Sequence, residues 1–213
     1  MKEFKVSPDH PNLLLPRIEE LRSGLTNSDP NILSLNTGTH FSISNSGKGL
    51  FELSLWQQNI LLTFPELTAR TSETGDPLGI ANQVMILYYF FTADGTRVTG
   101  QWISFSELPD GRFYNQAFQG YTGAELYKVF KEDFDRLEKA AIKIGGVPKS
   151  FADIAFSFHL LPRLPLLMAV WQGDEDFPAS YQILFDSSVS HYLPTDVCAI
   201  AGSMLTRKLI SVS

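Results

Sequence analysis

The residues of this chain best placed to do chemistry are carboxylates. Residues 173–186 read GDEDFPASYQILFD, with Asp174, Glu175 and Asp176 in succession. Grouped oxygens are what a hard cation such as Ca²⁺ or Mg²⁺ requires, and crowding of like charges raises some of their pKa values. If residues 153–160 and 165–171 form a hairpin about 161–163, Asp153 sits across from about Gly173 and becomes a fourth carboxylate at that end. Asp153, Asp174, Glu175 and Asp176 are then the candidate cation site of a divalent-metal hydrolase or lyase that activates water. The competing reading is a solvated turn running from a strand into Phe177-Pro178.

The opposite end of the same predicted sheet is chemically more varied. Folding residues 181–186 back against 166–172 brings Asp186 near Leu166, and therefore near Arg163 and His159, with His191 five residues further on. An Arg163–Asp186 pair there would either close the sheet end or present a cation to an anionic ligand. A third cluster is aromatic: Phe113, Tyr114, Phe118 and Tyr121 lie on a stretch that the Pro-Asp-Gly at 109–111 marks as a loop. Tyr114 and Tyr121 are the candidates there for a recognition surface, whereas Trp102 and Phe105, within the predicted strand, read as core residues.

Other chemistries lack their parts. The histidines stand at 10, 40, 159 and 191, too far apart for a local zinc pair, and no Gly-x-Ser-x-Gly elbow occurs. Asn45-Ser-Gly-Lys-Gly49 is hairpin-turn chemistry, without the strand before and helix after that a phosphate loop needs. Cys198 is the single cysteine, so the chain alone can make neither a disulfide nor a four-cysteine iron–sulfur cluster. Within an apolar helical stripe, that thiol reads as a packed hydrophobe.

These groups need elements to hold them. Residues 1–38 carry Pro8, Pro11, Pro16 and Pro30 and leave room for one short helix over 16–23, so they read as an irregular extension to a domain over 39–213. Three period-two runs, 39–44, 50–55 and 60–64, predict an antiparallel meander. Asp76-Pro77 predicts the start of a helix and Asp94-Gly95 its stop, with too little polar face between them for a surface position. A short strand over 101–105 follows, then the loop. Thr122 and Glu125 match a capping box for one helix ending at Gly145-Gly146, and Thr195 caps a last helix over the remaining residues. Hairpins with helices set between and after them predict an α+β fold, an antiparallel sheet covered by about three main helices.

Composition bounds the rest. Of 213 residues 44% are apolar, sixteen are Phe and only 19% are charged, which suits a globular core and not a disordered chain. A net charge of −6 argues against nucleic-acid partners. The first twelve residues lack the apolar region of a signal peptide and no window reaches membrane-span length, so a cytoplasmic, soluble protein is expected.

Three stretches together, residues 86–118, 161–196 and the closing helix, resemble the uncharacterised family DUF3786 over roughly residues 50–210. The resemblance rests on Gly100, Trp102, Phe105, Leu108, Tyr114, Pro162, Arg163, Pro165, Trp171, Gly173, Asp174, Glu175, Phe177, Pro178, Leu184, Phe185, Asp186, Leu193 and Pro194. It names no reaction. It implies anaerobic bacteria and archaea as hosts, and a link to iron–sulfur and corrinoid one-carbon metabolism, since some members carry a four-cysteine module. Here such a link has to run through a partner. The reading that follows is an accessory protein without its own catalysis, binding a protein partner or a small molecule through Tyr114, Arg163, Asp174, Glu175, Asp186 and His191. The divalent-metal enzyme is its alternative, and a structural subunit with an apolar self-interface the third.

Overall fold

A computed structural model of the chain describes residues 11–44 and 47–213. Asn45 and Ser46 of the first predicted turn, and the leading residues 1–10, lie outside it; the strands on either side of that turn pair from Ile43 to Gly49.

The meander forms as expected and gains a strand: β1 (His40–Ile43), β2 (Gly49–Leu55), β3 (Gln58–Phe64) and β4 (Ala69–Thr71) make an antiparallel sheet in chain order. A second antiparallel sheet has the order β5-β9-β8-β7-β6, with β5 at Trp102–Ile103, β6 at Val147–Pro148, β7 at Ile154–Leu161, β8 at Leu164–Trp171 and β9 at Ser180–Asp186. The α+β class is therefore correct, with two sheets where one was expected.

Alternation in β2 turns Phe51, Leu53 and Leu55 inward, and helix α3 (Ile80–Thr92) covers them, Phe51 meeting Phe90 edge-on at 4.9 Å. All of Gln83 to Phe90 is buried, as its scant polar face predicted, because α1 (Pro11–Leu25) packs on its other side. The second sheet carries its largest side chains on the face under helices α4 (Gly111–Tyr121), α5 (Gly123–Phe130), α6 (Phe134–Lys143) and α7 (Thr195–Ser211). Its other face is lined by smaller residues, Ala155, Leu167, Ala169 and Leu184, closed over by Trp102 and Ala152. Both sheets and all the helices share one continuous apolar core, and Trp56 N–H joins the sheets by donating to the Leu160 carbonyl at 3.1 Å.

Several elements differ from expectation, each for a local reason. The N-terminal part is not confined to one short helix. α1 runs through Pro16, held by Ile18, Leu21 and Leu25 on the core, and Asp29 caps a further helix α2 (Pro30–Thr37) by accepting from Asn31 N–H. Residues 76–78 do not begin α3, because they are extended against β4, with Leu78 N–H on the Ala69 carbonyl. The 101–105 strand is only two residues, after which Phe105–Glu107 forms a 3-10 turn with a true capping box at Ser104 and Glu107. The box read at Thr122 is not made: its hydroxyl donates to the Phe118 carbonyl.

The predicted loop over 109–121 is helical. Pro-Asp-Gly does make a turn, with Asp110 at φ 58°, but α4 starts directly after it. Its inward positions Gly111, Asn115, Phe118 and Thr122 hold a single large apolar side chain, too weak a pattern to read as a helix. The helix predicted over 122–145 is interrupted at Lys131, at φ 49°, and restarted by the Asp133 carboxylate, which caps α6 at Arg136 N–H. Helical spacing persists across the break, so the sequence pattern hides it. Pro194, not Thr195, precedes α7, and the Thr195 hydroxyl bonds instead to the Pro109 carbonyl.

Candidate functional site

The polar groups predicted to meet at one end of the second sheet do gather there, but in a different pairing. The β7–β8 turn is Pro162-Arg163, and Asp186 faces Trp102 across β5 while its neighbour Phe185 faces Leu166. Asp186 is 1% exposed and receives five hydrogen bonds: Thr99 N–H at 3.0 Å, its hydroxyl at 3.0 Å, Ser188 N–H at 3.0 Å, its hydroxyl at 2.6 Å, and Gly100 N–H at 2.6 Å. Burial alone would push its pKa up, yet the donors from Ser188, Thr99 and Gly100 together hold it below the ordinary carboxylate range.

Arg163 therefore does not pair with Asp186. Its guanidinium donates to the Gly95 carbonyl at 2.8 Å and the Leu35 carbonyl at 3.0 Å, which clamps the loop after α3 to the end of α2. Its backbone N–H donates to the Tyr89 hydroxyl at 3.0 Å, and that hydroxyl donates to the Thr37 carbonyl at 2.6 Å. Tyr192 stacks on Tyr89 at 5.5 Å and bonds to the Thr96 carbonyl. His191 Nδ1 contacts Asp94 Oδ2 at 2.7 Å, both half exposed. Asp94 is held down to about 2, first by Thr96 N–H and then by the His191 ring; solvent screens so open a pair. Asp186, Arg163, Tyr192 and His191 each bond to a residue of 94–100, which ties that segment to the body and makes this end an architectural knot. Sequence reading missed Thr99, Ser188, Tyr89 and Tyr192. Only the Asp-Ser-Ser at 186–188 carried a signal, since short polar side chains after a strand favour local turn bonds.

At the other end, Asp153 accepts from Gln172 N–H at 2.8 Å, and Asp174 accepts from Asp176 and Phe177 N–H at 2.9 Å each. Leu161 pairs with Leu164 and the register shifts by one residue before His159–Pro165, so Asp153 lies level with Trp171, two residues short of Gly173. Two of the four carboxylates are thus bonded to backbone N–H groups, Asp153 across the hairpin and Asp174 within its own loop. Among the described residues no three His, Cys, Asp or Glu side chains group so as to hold a metal ion, and the four acids predicted as a cation site share an end of the sheet but not a point. Glu175 and Asp176 are exposed, as are the aromatic rings around them: Phe177 at 72%, with Phe151 and Trp171 in edge contact at 6.2 Å.

The third place is α4. Phe118 fixes it to the body, stacked on Phe105 at 4.2 Å, with α7 able to approach because position 202 is glycine: a Cβ there would lie 2.6 Å from the Phe118 ring. Gly111 is required in the same way, its missing Cβ lying 1.9 Å from the Phe105 carbonyl oxygen. Asn115 Oδ1 is enclosed without a donor, which works against docking. Phe113 faces outward and is 84% exposed, while Tyr114 and Tyr121, four residues before and three after Phe118, flank it and are about half exposed, Tyr121 standing edge-on to the Phe118 ring at 5.8 Å.

The family model of a domain of unknown function, DUF3786, matches residues 29–208 of the 213. The chain belongs to the DUF3786 family. Neither a curated protein nor a solved structure matches it. The residues that carried the resemblance divide by the geometry above. In this DUF3786 chain Gly100, Arg163 and Asp186 build the knot, and Gly173 and Asp174 build the acidic turn, where a Cβ on residue 173 would lie 2.5 Å from the Phe177 carbonyl oxygen. Phe105 seats α4, while Tyr114 and Phe177 are exposed. No helix among the described residues is long and apolar enough to cross a membrane.

Proposed function

We propose that this DUF3786 protein is a non-catalytic accessory that works by binding another protein chain, and that its binding face is the outward side of α4 together with the acidic turn. The exposure of Phe113 and Phe177 carries this reading. Rings of that size left in water forgo roughly 2–3 kcal/mol each of burial, which association would recover. The spending of Arg163 on backbone carbonyls and of Asp186 on backbone N–H groups and two hydroxyls supports it, because both are engaged within the fold. The state of Cys198 supports it too: fully buried, its thiol reaches only the Leu193 carbonyl, and burial pushes its pKa up, away from nucleophilic use. We propose a setting for this protein in iron–sulfur and corrinoid one-carbon metabolism, which the sequence resemblance implies. A four-cysteine cluster in that chemistry would belong to another protein, since this chain has a single cysteine.

Substitution separates binding from folding. Phe113→Ser and Phe177→Ser, tested in dilute protein, leave unfolding free energy within about 0.5 kcal/mol of the parent, as exposed sites do. The same variants lose co-purification with the native partner. A drop of several kcal/mol would make the two rings structural and remove the basis for the face.

A further inference from the structure

Helix α1 stands apart from the rest of the chain in two ways. The family model begins at Asp29, past the end of α1, so the shared pattern includes α3 and not the helix that covers its other side. α1 is also held from one side only: it packs on α3 through buried Ile18, Leu21 and Leu25, while Leu15, Pro16, Glu19, Glu20 and Ser23 are exposed. That spacing, three and then four residues, is the stripe of a helix laid into a groove. Two arginines reach the same seat. Arg17 Nε donates to the Tyr88 hydroxyl at 2.8 Å, with the guanidinium carbon 5.0 Å from the Tyr88 ring centre. Arg22 donates to the Leu67 carbonyl at 3.3 Å and to the Thr68 hydroxyl at 3.4 Å. On the exposed side Glu20 and Glu19 pair with these two arginines. Gly24 sits against the Phe91 ring, 2.6 Å from where a Cβ would stand. The hold is modest, since Pro16 inside the helix lacks the N–H that would bond back one turn and both Arg22 contacts are long for hydrogen bonds.

We infer that α1 is a displaceable plug, and that the α3 face beneath it is a groove for a basic amphipathic helix of another protein. The seat itself defines this occupant. Its apolar floor, which includes Tyr88 and Phe91, takes aliphatic side chains at the spacing of Ile18, Leu21 and Leu25. Its polar groups are a tyrosine ring and hydroxyl, the Leu67 carbonyl and the Thr68 hydroxyl, and each of them already receives a guanidinium. A helix that carries both patterns fits as α1 does, and the chain's net charge of −6 favours its approach. α1 competes from within the same molecule at an effective concentration in the millimolar range, so it keeps the groove closed until such a helix outbids it. This groove is built by other elements than the face of α4 and stands independently of it.

A fluorescein-labelled peptide of residues 11–25 is the probe, titrated by fluorescence anisotropy into the full chain and into its Leu21→Asp variant. Leu21→Asp unseats α1 within the chain, and the variant is expected to bind the peptide roughly tenfold or more tighter than the parent does. A peptide that itself carries Leu21→Asp should bind neither protein. Equal binding by parent and variant overturns the proposal, as does no binding by a variant that still melts cooperatively. A variant that no longer melts cooperatively overturns it too, because α1 is then part of the core. Hydrogen exchange on the parent supplies a second test, in which amides of residues 18–25 exchange through a local opening well before those of Ile80–Thr92. Exchange of both helices together, at the rate of global unfolding, contradicts the plug.

Discussion

Asp186→Asn is expected to destabilise the protein by about 2–4 kcal/mol while leaving its volume unchanged. Gly100 N–H and the four donors on the other oxygen together require two acceptors, and an amide offers one; its NH₂ would face a donor in a site closed to water. The pH dependence follows from the depressed pKa. A carboxylate held below its unfolded value adds stability that is complete above the ordinary carboxylate range and is lost as pH falls through the folded value. Asp94, held down to about 2, loses its smaller contribution over the same acid range in parent and variant alike. Denaturant unfolding from neutral to acid pH should therefore show the gap between parent and Asp186→Asn narrowing as pH falls. Equal stability at neutral pH would mean that the five donors do not need the charge.

Phe118→Ala is expected to cost about 3–5 kcal/mol, the range for a large ring removed from a closed core. It also removes the stack on Phe105 and the contact with α7 at Gly202. Because Phe118 is the one large apolar side chain on the inward side of α4, and Asn115 Oδ1 already lacks a donor, the loss falls on that helix first. Hydrogen exchange should show amides of residues 111–121 exchanging well before those of β7–β9. Uniform acceleration across both would show that α4 and the sheet open as one unit.

The contrast between these two sites explains what the sequence could disclose. Hairpins were legible because strand alternation and turn chemistry are local: the pairing of β7 with β8 about Pro162-Arg163 and the position of Asp186 near Leu166 both came from period and length. The helix α4 was not, since it is seated by Gly111, Phe118 and Gly202, residues whose meaning appears only when Phe105 and α7 arrive. The break at Lys131 was invisible because spacing survived it. Among the candidate site residues, Arg163, Asp186 and His191 do lie at one end of the sheet, yet Arg163 found carbonyls and Asp186 found amides and hydroxyls. Backbone partners have no sequence signature, so a guanidinium and a carboxylate brought close invite a pairing that the loop between them supersedes. The acidic run failed as a cation site for a related reason: backbone N–H groups took up Asp153 from across the hairpin and Asp174 from its own loop.

On the function proposed above, α4 and the acidic turn contact a partner. A photo-reactive phenylalanine analogue placed at 113 or 177, irradiated in the native cell extract, tests it most directly. Position 142, where Ile142 is also well exposed on α6, at 61%, serves as the control. Discrete adducts from 113 and 177, with none from 142, are the predicted result. No adduct at 113 and 177, or the same adducts from all three positions, would contradict the account.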